Sequence, residues 1–200
     1  MKIKNCISKD IKSTDEKTKI NAMIITLILC CGFRIGNKKY EKENNSYGLT
    51  TLKLSHISCD NKKCHIIFDF IGKKGVRNKS VCKNKYIYQY ISKKLIAYQD
   101  NKENDEYIFT YNNIRINSTD VNNYLEDKLG VKITSKDLRT WNANNLFTKF
   151  LNKSNNCKNP IKKALELTAI ELHNTPTVCK NSYIDPRIIE YAKNQIINKN

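Results

Sequence analysis

Hydrophobic and polar positions divide this chain into one long apolar segment, a short region of alternating character, and a succession of amphipathic stretches. From Lys17 to Cys31 apolar residues recur at helical spacing. Ser13-Thr14-Asp15-Glu16 offers N-cap side chains ahead of that run and Gly32 supplies a stop. Its most apolar part, Ile20 to Phe33, is interrupted by Asn21 and is too short to cross a bilayer comfortably, which predicts a buried helix. Gly48 to Ser58 and His65 to Ile71 alternate or run apolar with Thr, Ile and Phe, the signature of strands. Asp60-Asn61-Lys62-Lys63 reads as a hairpin turn, and Gly72-Lys73-Lys74-Gly75 as a second tight turn with two lysines at its tip. Val76 to Cys82 is the returning strand. Beyond Lys85 the period is helical: Tyr86 to Tyr98, Thr119 to Leu129, Ser135 to Leu151, Pro160 to Leu172 and Pro186 to Ile197, with a polar loop at Asn101 to Asp105. No internal repeat, low-complexity linker or second domain boundary is evident. The expected fold is α+β and mainly helical, with a small antiparallel sheet in the N-terminal third. Residues 1–15 read as an N-terminal extension and residues 16–200 as one domain.

Charge sharpens this picture. Lys and Arg total 36 against 19 acidic residues, a formal net charge of +17, and such an excess suits a polyanion whose condensed counterions are released on binding. The chain is also rich in Lys, Asn and Ile, as AT-rich genomes tend to encode, so solvated surface lysine explains the excess equally well. Eight cysteines raise the question of disulfides, but Met1 to Asp15 is polar and has no secretory character. Reduced thiols and an intracellular setting are expected. Cys59, Cys64, His65 and Cys82 suggest a metal set, yet their spacing is not that of a zinc knuckle, and no metal is expected.

Four segments carry unusual polar residues. In Cys31-Gly32-Phe33-Arg34-Ile35-Gly36-Asn37 an arginine stands where an apolar helix ends, a position that a simple interaction with the helix dipole would also explain. Lys73 sits in the hairpin, where solvated lysines are common. Lys136-Asp137-Leu138-Arg139-Thr140 places two basic groups three apart on one side of a helix start, as helix salt bridges also do. Asn174-Thr175-Pro176-Thr177-Val178-Cys179-Lys180-Asn181-Ser182-Tyr183 reads as a turn, a short helix and an exposed tyrosine, one of eleven in the chain. Each feature alone is weak.

Together, in this order, they resemble the small type IB DNA topoisomerases of poxviruses, other large DNA viruses and bacteria. Phe33 to Asn37, followed by Asn45-Ser46-Tyr47-Gly48-Leu49-Thr50-Thr51-Leu52, is similar to that family's first-arginine segment. Phe70 to Gly75 resembles its lysine hairpin, Lys136 to Thr140 its second-arginine helix, and Thr175 to Tyr183 its nucleophile segment. The similarity runs from about Lys17 to the C-terminus. It implies the catalytic-domain fold shared by tyrosine recombinases and type IB topoisomerases.

The resemblance implies a role for each residue, and elementary chemistry agrees. Arg34 and Arg139 would offer permanently charged forks to the non-bridging phosphate oxygens as charge accumulates on them. Tyr183 would attack phosphorus, and because a phenol ordinarily ionises only near pH 10, a cationic pocket must favour its deprotonation. Lys73 would protonate the departing 5′-oxygen. No ATP, metal or other cofactor enters this scheme. Poxvirus members carry a histidine where Asn174 aligns; here the nearby histidine is His173, one place earlier, and an amide still donates to a phosphate oxygen. Tyr40, Lys74, Lys136 and Lys180 match positions that contact DNA. The implied activity is relaxation of supercoiled double-stranded DNA by transient cleavage and rejoining of one strand. Tyrosine recombinases share the logic but usually carry histidine where this chain has Lys136, which favours the topoisomerase reading. A non-catalytic DNA-binding remnant is the other alternative. Only 33 residues precede Arg34, so the family's N-terminal clamp domain is expected to be absent, with a separate clamp subunit as a partner and the chain itself a monomer.

Overall fold

The computed structural model describes residues 2–100 and 105–197, in two compact units, Met1–Ser135 and Lys136–Asn200. The polar loop expected at Asn101 to Asp105 therefore lies, apart from Asp105, outside the described residues.

The first unit is built around helix α2 (Glu16–Cys31). Asp15 caps its start by accepting from the Thr18 N–H at 2.8 Å, and Gly32 ends it in the left-handed conformation at φ 62°. Ile20, Met23, Ile24, Ile25, Leu27 and Ile28 are each at most 1% exposed, so the helix is buried around nearly its whole circumference. The Nδ2 of the interrupting Asn21 donates to Lys17 O at 2.9 Å, while its buried Oδ1 has no hydrogen-bond partner among the described residues. α1 (Lys2–Asp10) covers one side of α2 and α5 (Ser118–Leu129) another. α1 falls in the segment read as an extension, and its Ile3 and Ile7 are core residues. Asp10 at its end accepts from the Tyr124 hydroxyl at 2.9 Å and pairs with Lys128 at 2.7 Å, tying it to α5.

The sheet consists of β1 (Ile57–Asp60), β2 (His65–Ile71) and β3 (Arg77–Cys82), all antiparallel in the order β1-β2-β3. Ile66, Phe68 and Phe70 point into the core while the alternate positions of β2 do not, the period-two pattern that the sequence displays. The expected strand over Gly48 to Ser58 is largely wrong. Leu49–Thr51 and Leu54–His56 are 3-10 turns, Lys53 makes an isolated antiparallel bridge to Tyr107, and the strand itself starts at Ile57. The Leu49 and Thr50 N–H groups instead serve the Arg34 loop, as described below.

Three further elements escaped the pattern. α3 (Lys38–Asn44) follows Asn37, whose side chain accepts from Lys39 N–H. β4 (Thr110–Tyr111) and β5 (Ile114–Arg115) form a two-residue-strand hairpin across Asn112-Asn113, both at positive φ (49° and 61°). Asparagine tolerates that conformation with little strain, which is why it serves such turns. α4 (Lys85–Asp100) packs behind the sheet.

The second unit is all helical: α6 (Ser135–Lys153), α7 (Pro160–Glu171), α8 (Pro176–Ser182) and α9 (Pro186–Ile197). Asn159 and Thr175 cap α7 and α8, each followed by a proline at the first helical position, where its missing N–H is harmless. Phe147, Ala164, Ala169, Leu172, Cys179, Ile184 and Ile189 make its core. The sheet and helices match the mainly helical α+β expectation. Among the described residues no helix is long and apolar enough to cross a membrane.

Candidate active site

In the first unit, Arg34 leaves α2 just after Phe33, which is fully buried between Phe68 and Phe70 at ring-centroid distances of 5.3 and 5.0 Å. That anchor fixes the emergence point of a half-buried arginine. The loop after it is held by the 3-10 segment: Leu49 N–H donates to Arg34 O at 2.9 Å and Thr50 N–H to Ile35 O at 2.7 Å. Arg115 of β5 closes the arrangement by donating to Thr50 O at 2.9 Å. Gly36 and Gly48 allow the two strands of this loop to touch. A Cβ added at Gly48 would lie 2.5 Å from Gly36 N and 2.7 Å from Arg34 O. Gly48→Ala is therefore expected to force the arginine loop outward and to destabilise the protein by about 1–3 kcal/mol, lowering the melting midpoint by roughly 3–10 °C. Calorimetry showing an unchanged midpoint would contradict this packing.

The same loop reaches the lysine hairpin. Tyr47 N–H donates to Ile71 O at 2.8 Å, two residues before Lys73. Gly72 N–H and Val76 O bond at 2.8 Å, and Lys74 (φ 62°) and Gly75 (φ 73°) turn the chain through left-handed conformations. Lys73 and Lys74 are exposed at the tip. Arg34 and Lys73 thus stand on one hydrogen-bonded framework. Tyr40, on α3, is 50% exposed.

In the second unit Arg139 sits in the first turns of α6 and is only 3% exposed. Its guanidinium donates to Leu172 O at 2.5 Å and lies 5.3 Å from the centroid of the Tyr183 ring. Leu172 is the C-cap of α7, so the cation meets the partially negative end of a helix and the face of an aromatic ring. His173 follows in the left-handed conformation (φ 48°), and Asn174 N–H closes the terminus onto Ala169 O at 2.9 Å. His173 therefore occupies the turning position, and Asn174 is the residue beyond it.

Tyr183 caps the end of α8, its N–H donating to Cys179 O at 3.1 Å. The expectation of an exposed tyrosine is corrected: Tyr183 is half-buried, packed on the unit's core and beneath the Arg139 guanidinium. Cys179 is fully buried, and burial pushes its thiol up to about 11, which makes it a packing residue. Lys136 and Lys180 are exposed.

Asn144, which the sequence reading passed over, holds the tyrosine's backbone. Its Nδ2 donates to Tyr183 O and its Oδ1 accepts from Asp185 N–H, both at 2.9 Å. The sequence signal was faint, an amide among several in α6 of an Asn-rich chain. Asn144→Ala is expected to cost about 1–3 kcal/mol of stability through the unmet backbone groups. It is also expected to slow any tyrosine-dependent chemistry about ten- to a hundredfold, with DNA affinity within about twofold of wild type, because misplacing a nucleophile weakens reaction more than binding. Single-turnover cleavage alongside DNA binding measures both.

The metal set suggested by Cys59, Cys64, His65 and Cys82 is not the one assembled. Among the described residues the grouped ligands are Cys30, Cys31 and Cys82.

The second unit thus sets a permanent cation against the ring of a tyrosine, and the first carries an arginine loop bonded to a lysine hairpin. Comparison with known proteins is specific. The family described as eukaryotic DNA topoisomerase I, catalytic core, matches residues 1–200. The chain is 27% identical over 192 residues to DNA topoisomerase 1B of Acanthamoeba polyphaga mimivirus, covering 89% of this chain and 56% of that protein. It is 29% identical over 205 residues to DNA topoisomerase 1B of vaccinia virus (strain Copenhagen), covering 98% and 61% respectively. With human DNA topoisomerase 1 it shares 30% identity over 149 residues, 71% of this chain and 18% of that one. The chain belongs to the type IB DNA topoisomerase family. It spans about six tenths of the length of the two viral relatives.

Proposed function

We propose that this chain cuts and rejoins one strand of double-stranded DNA through a covalent phosphotyrosyl intermediate, and so relaxes supercoils. The Tyr183 Oη attacks a backbone phosphorus; the bond from phosphorus to the 5′-oxygen breaks and the DNA 3′ end stays on the tyrosine. Lys73 gives its proton to the departing 5′-oxygen, a poor leaving group otherwise. Arg34, Arg139 and Asn174 donate to the non-bridging oxygens as they gain charge. Rejoining is the reverse: the 5′-hydroxyl returns its proton, attacks phosphorus and releases Tyr183. The linkage energy is kept in the covalent bond, so the scheme runs without ATP, and it uses no metal. Between the two steps the 5′ end swivels about the intact strand. Residues 16–200 constitute the catalytic domain, and Tyr40, Lys74, Lys136 and Lys180 contact phosphates along the duplex.

The observation that carries this reading is the Arg139 guanidinium 5.3 Å from the Tyr183 ring, held there by the C-terminal carbonyl of α7. A guanidinium beside a phenol favours the phenolate that attack requires and then stabilises the crowded phosphorus. The test is a suicide DNA substrate whose short downstream fragment, the one bearing the freed 5′-hydroxyl, is lost after cleavage. Trapping and peptide mapping by mass spectrometry should find one nucleotide adduct, on Tyr183. An adduct on another residue, or none, overturns the proposal.

A further inference from the structure

We propose that Cys30, Cys31 and Cys82 form a three-thiolate site for one soft, thiophilic metal ion, separate from the DNA chemistry. The last turn of α2 supplies Cys30 and Cys31, and the final residue of β3 supplies Cys82. α2 and β3 pack together within the first unit. The three Sγ atoms lie within 4.8 Å of one another, and those of Cys30 and Cys31 are 3.4 Å apart. Zinc–thiolate bonds of about 2.3 Å require sulfurs separated by about 3.8–4.0 Å, so the cluster needs only small side-chain adjustments to close on an ion.

The chemistry of the donors selects the metal. Three sulfurs favour zinc, cadmium or copper(I) and disfavour magnesium and calcium, which want oxygen. Burial gives the site a wall and a door. Cys31 and Cys82 are 3% and 2% exposed, whereas Cys30 is exposed and opens the cluster to solvent, where a water can complete the coordination. All eight cysteines carry thiols in this structure, so no disulfide competes for these sulfurs. An ion bound here would staple the end of α2 to the sheet, three residues before Arg34.

Cadmium titration of the full, reduced chain tests this. We expect one equivalent to bind with thiolate-to-metal charge-transfer absorption, with proton release, and with a higher melting midpoint. X-ray absorption should count three sulfur neighbours. Cys82→Ser and Cys30→Ser should each weaken binding by more than about tenfold, the least expected when a ligand rather than its supporting neighbour is removed. Cys30→Ser changes an exposed side chain and guards against a folding defect. A Cys59→Ser/Cys64→Ser double variant should bind as wild type. Full affinity in Cys30→Ser, loss of binding in the Cys59/Cys64 variant, or no saturable binding would overturn the site.

Discussion

Tyr183→Phe is expected to abolish covalent capture of DNA and to lower supercoil relaxation by a factor on the order of 10⁴ or more, since a lost nucleophile leaves only binding and electrostatic effects behind. The substitution isolates the chemistry because it removes a single oxygen. The phenylalanine ring still fills the position against the helical core, and it still presents a face to Arg139. The backbone bonds to Cys179 and Asn144 are untouched. Duplex affinity should therefore stay within about twofold, a change of less than about 0.5 kcal/mol. Gel separation of topoisomers and a nitrocellulose binding assay read the two quantities. Relaxation by the phenylalanine variant at the wild-type rate would remove Tyr183 from the mechanism.

Arg139→Ala carries the next largest effect, a loss of about 10²–10³ in the single-turnover cleavage rate, the range seen when one preorganised donor to a developing oxyanion is removed. Arg139→Lys discriminates the cause. Lysine keeps the charge, but it replaces a planar fork with a single point of donation, so much of the loss should persist. Stability enters separately. Arg139 is almost fully buried and donates to the terminal carbonyl of α7, so the alanine variant should also lose about 1–3 kcal/mol. Cleavage must be measured well below each variant's melting midpoint. A folded alanine variant that cleaves as fast as wild type would break the link between the cation and the phosphate.

Much of the chain was legible from one-dimensional signals. α2, α4 through α7 and α9 follow from apolar spacing and from caps that read directly, such as Asp15, Gly32 and Pro160. β2 and its return to β3 follow from alternation around a Gly-Lys-Lys-Gly turn. α3 did not, because Lys38-Lys39-Tyr40-Glu41-Lys42-Glu43-Asn44 has no apolar stripe. Its only signal was the Asn37 cap. Leu49 to His56 misled for the opposite reason: its Leu and Thr residues suit a strand, yet the Leu49 and Thr50 N–H groups go to the Arg34 loop and the Leu54 N–H to Glu106 O. Local propensity was overruled by a partner distant in sequence.

The proposed site residues Arg34, Lys73, Arg139, Asn174 and Tyr183 came from residue order and type and from the family resemblance these carry, because motifs are contiguous along the chain. The chain alone also determined its charge excess, its buried apolar helix and most of its element boundaries, all of which depend on near neighbours. Only the tertiary structure decided that Tyr183 is half-buried beneath a guanidinium, that Asn144 holds its backbone, and that Gly48 presses on Gly36. It alone gathered Cys30, Cys31 and Cys82. Those facts join residues from a dozen to some fifty positions apart, and such contacts are set by how packed elements meet rather than by anything periodic along the polymer.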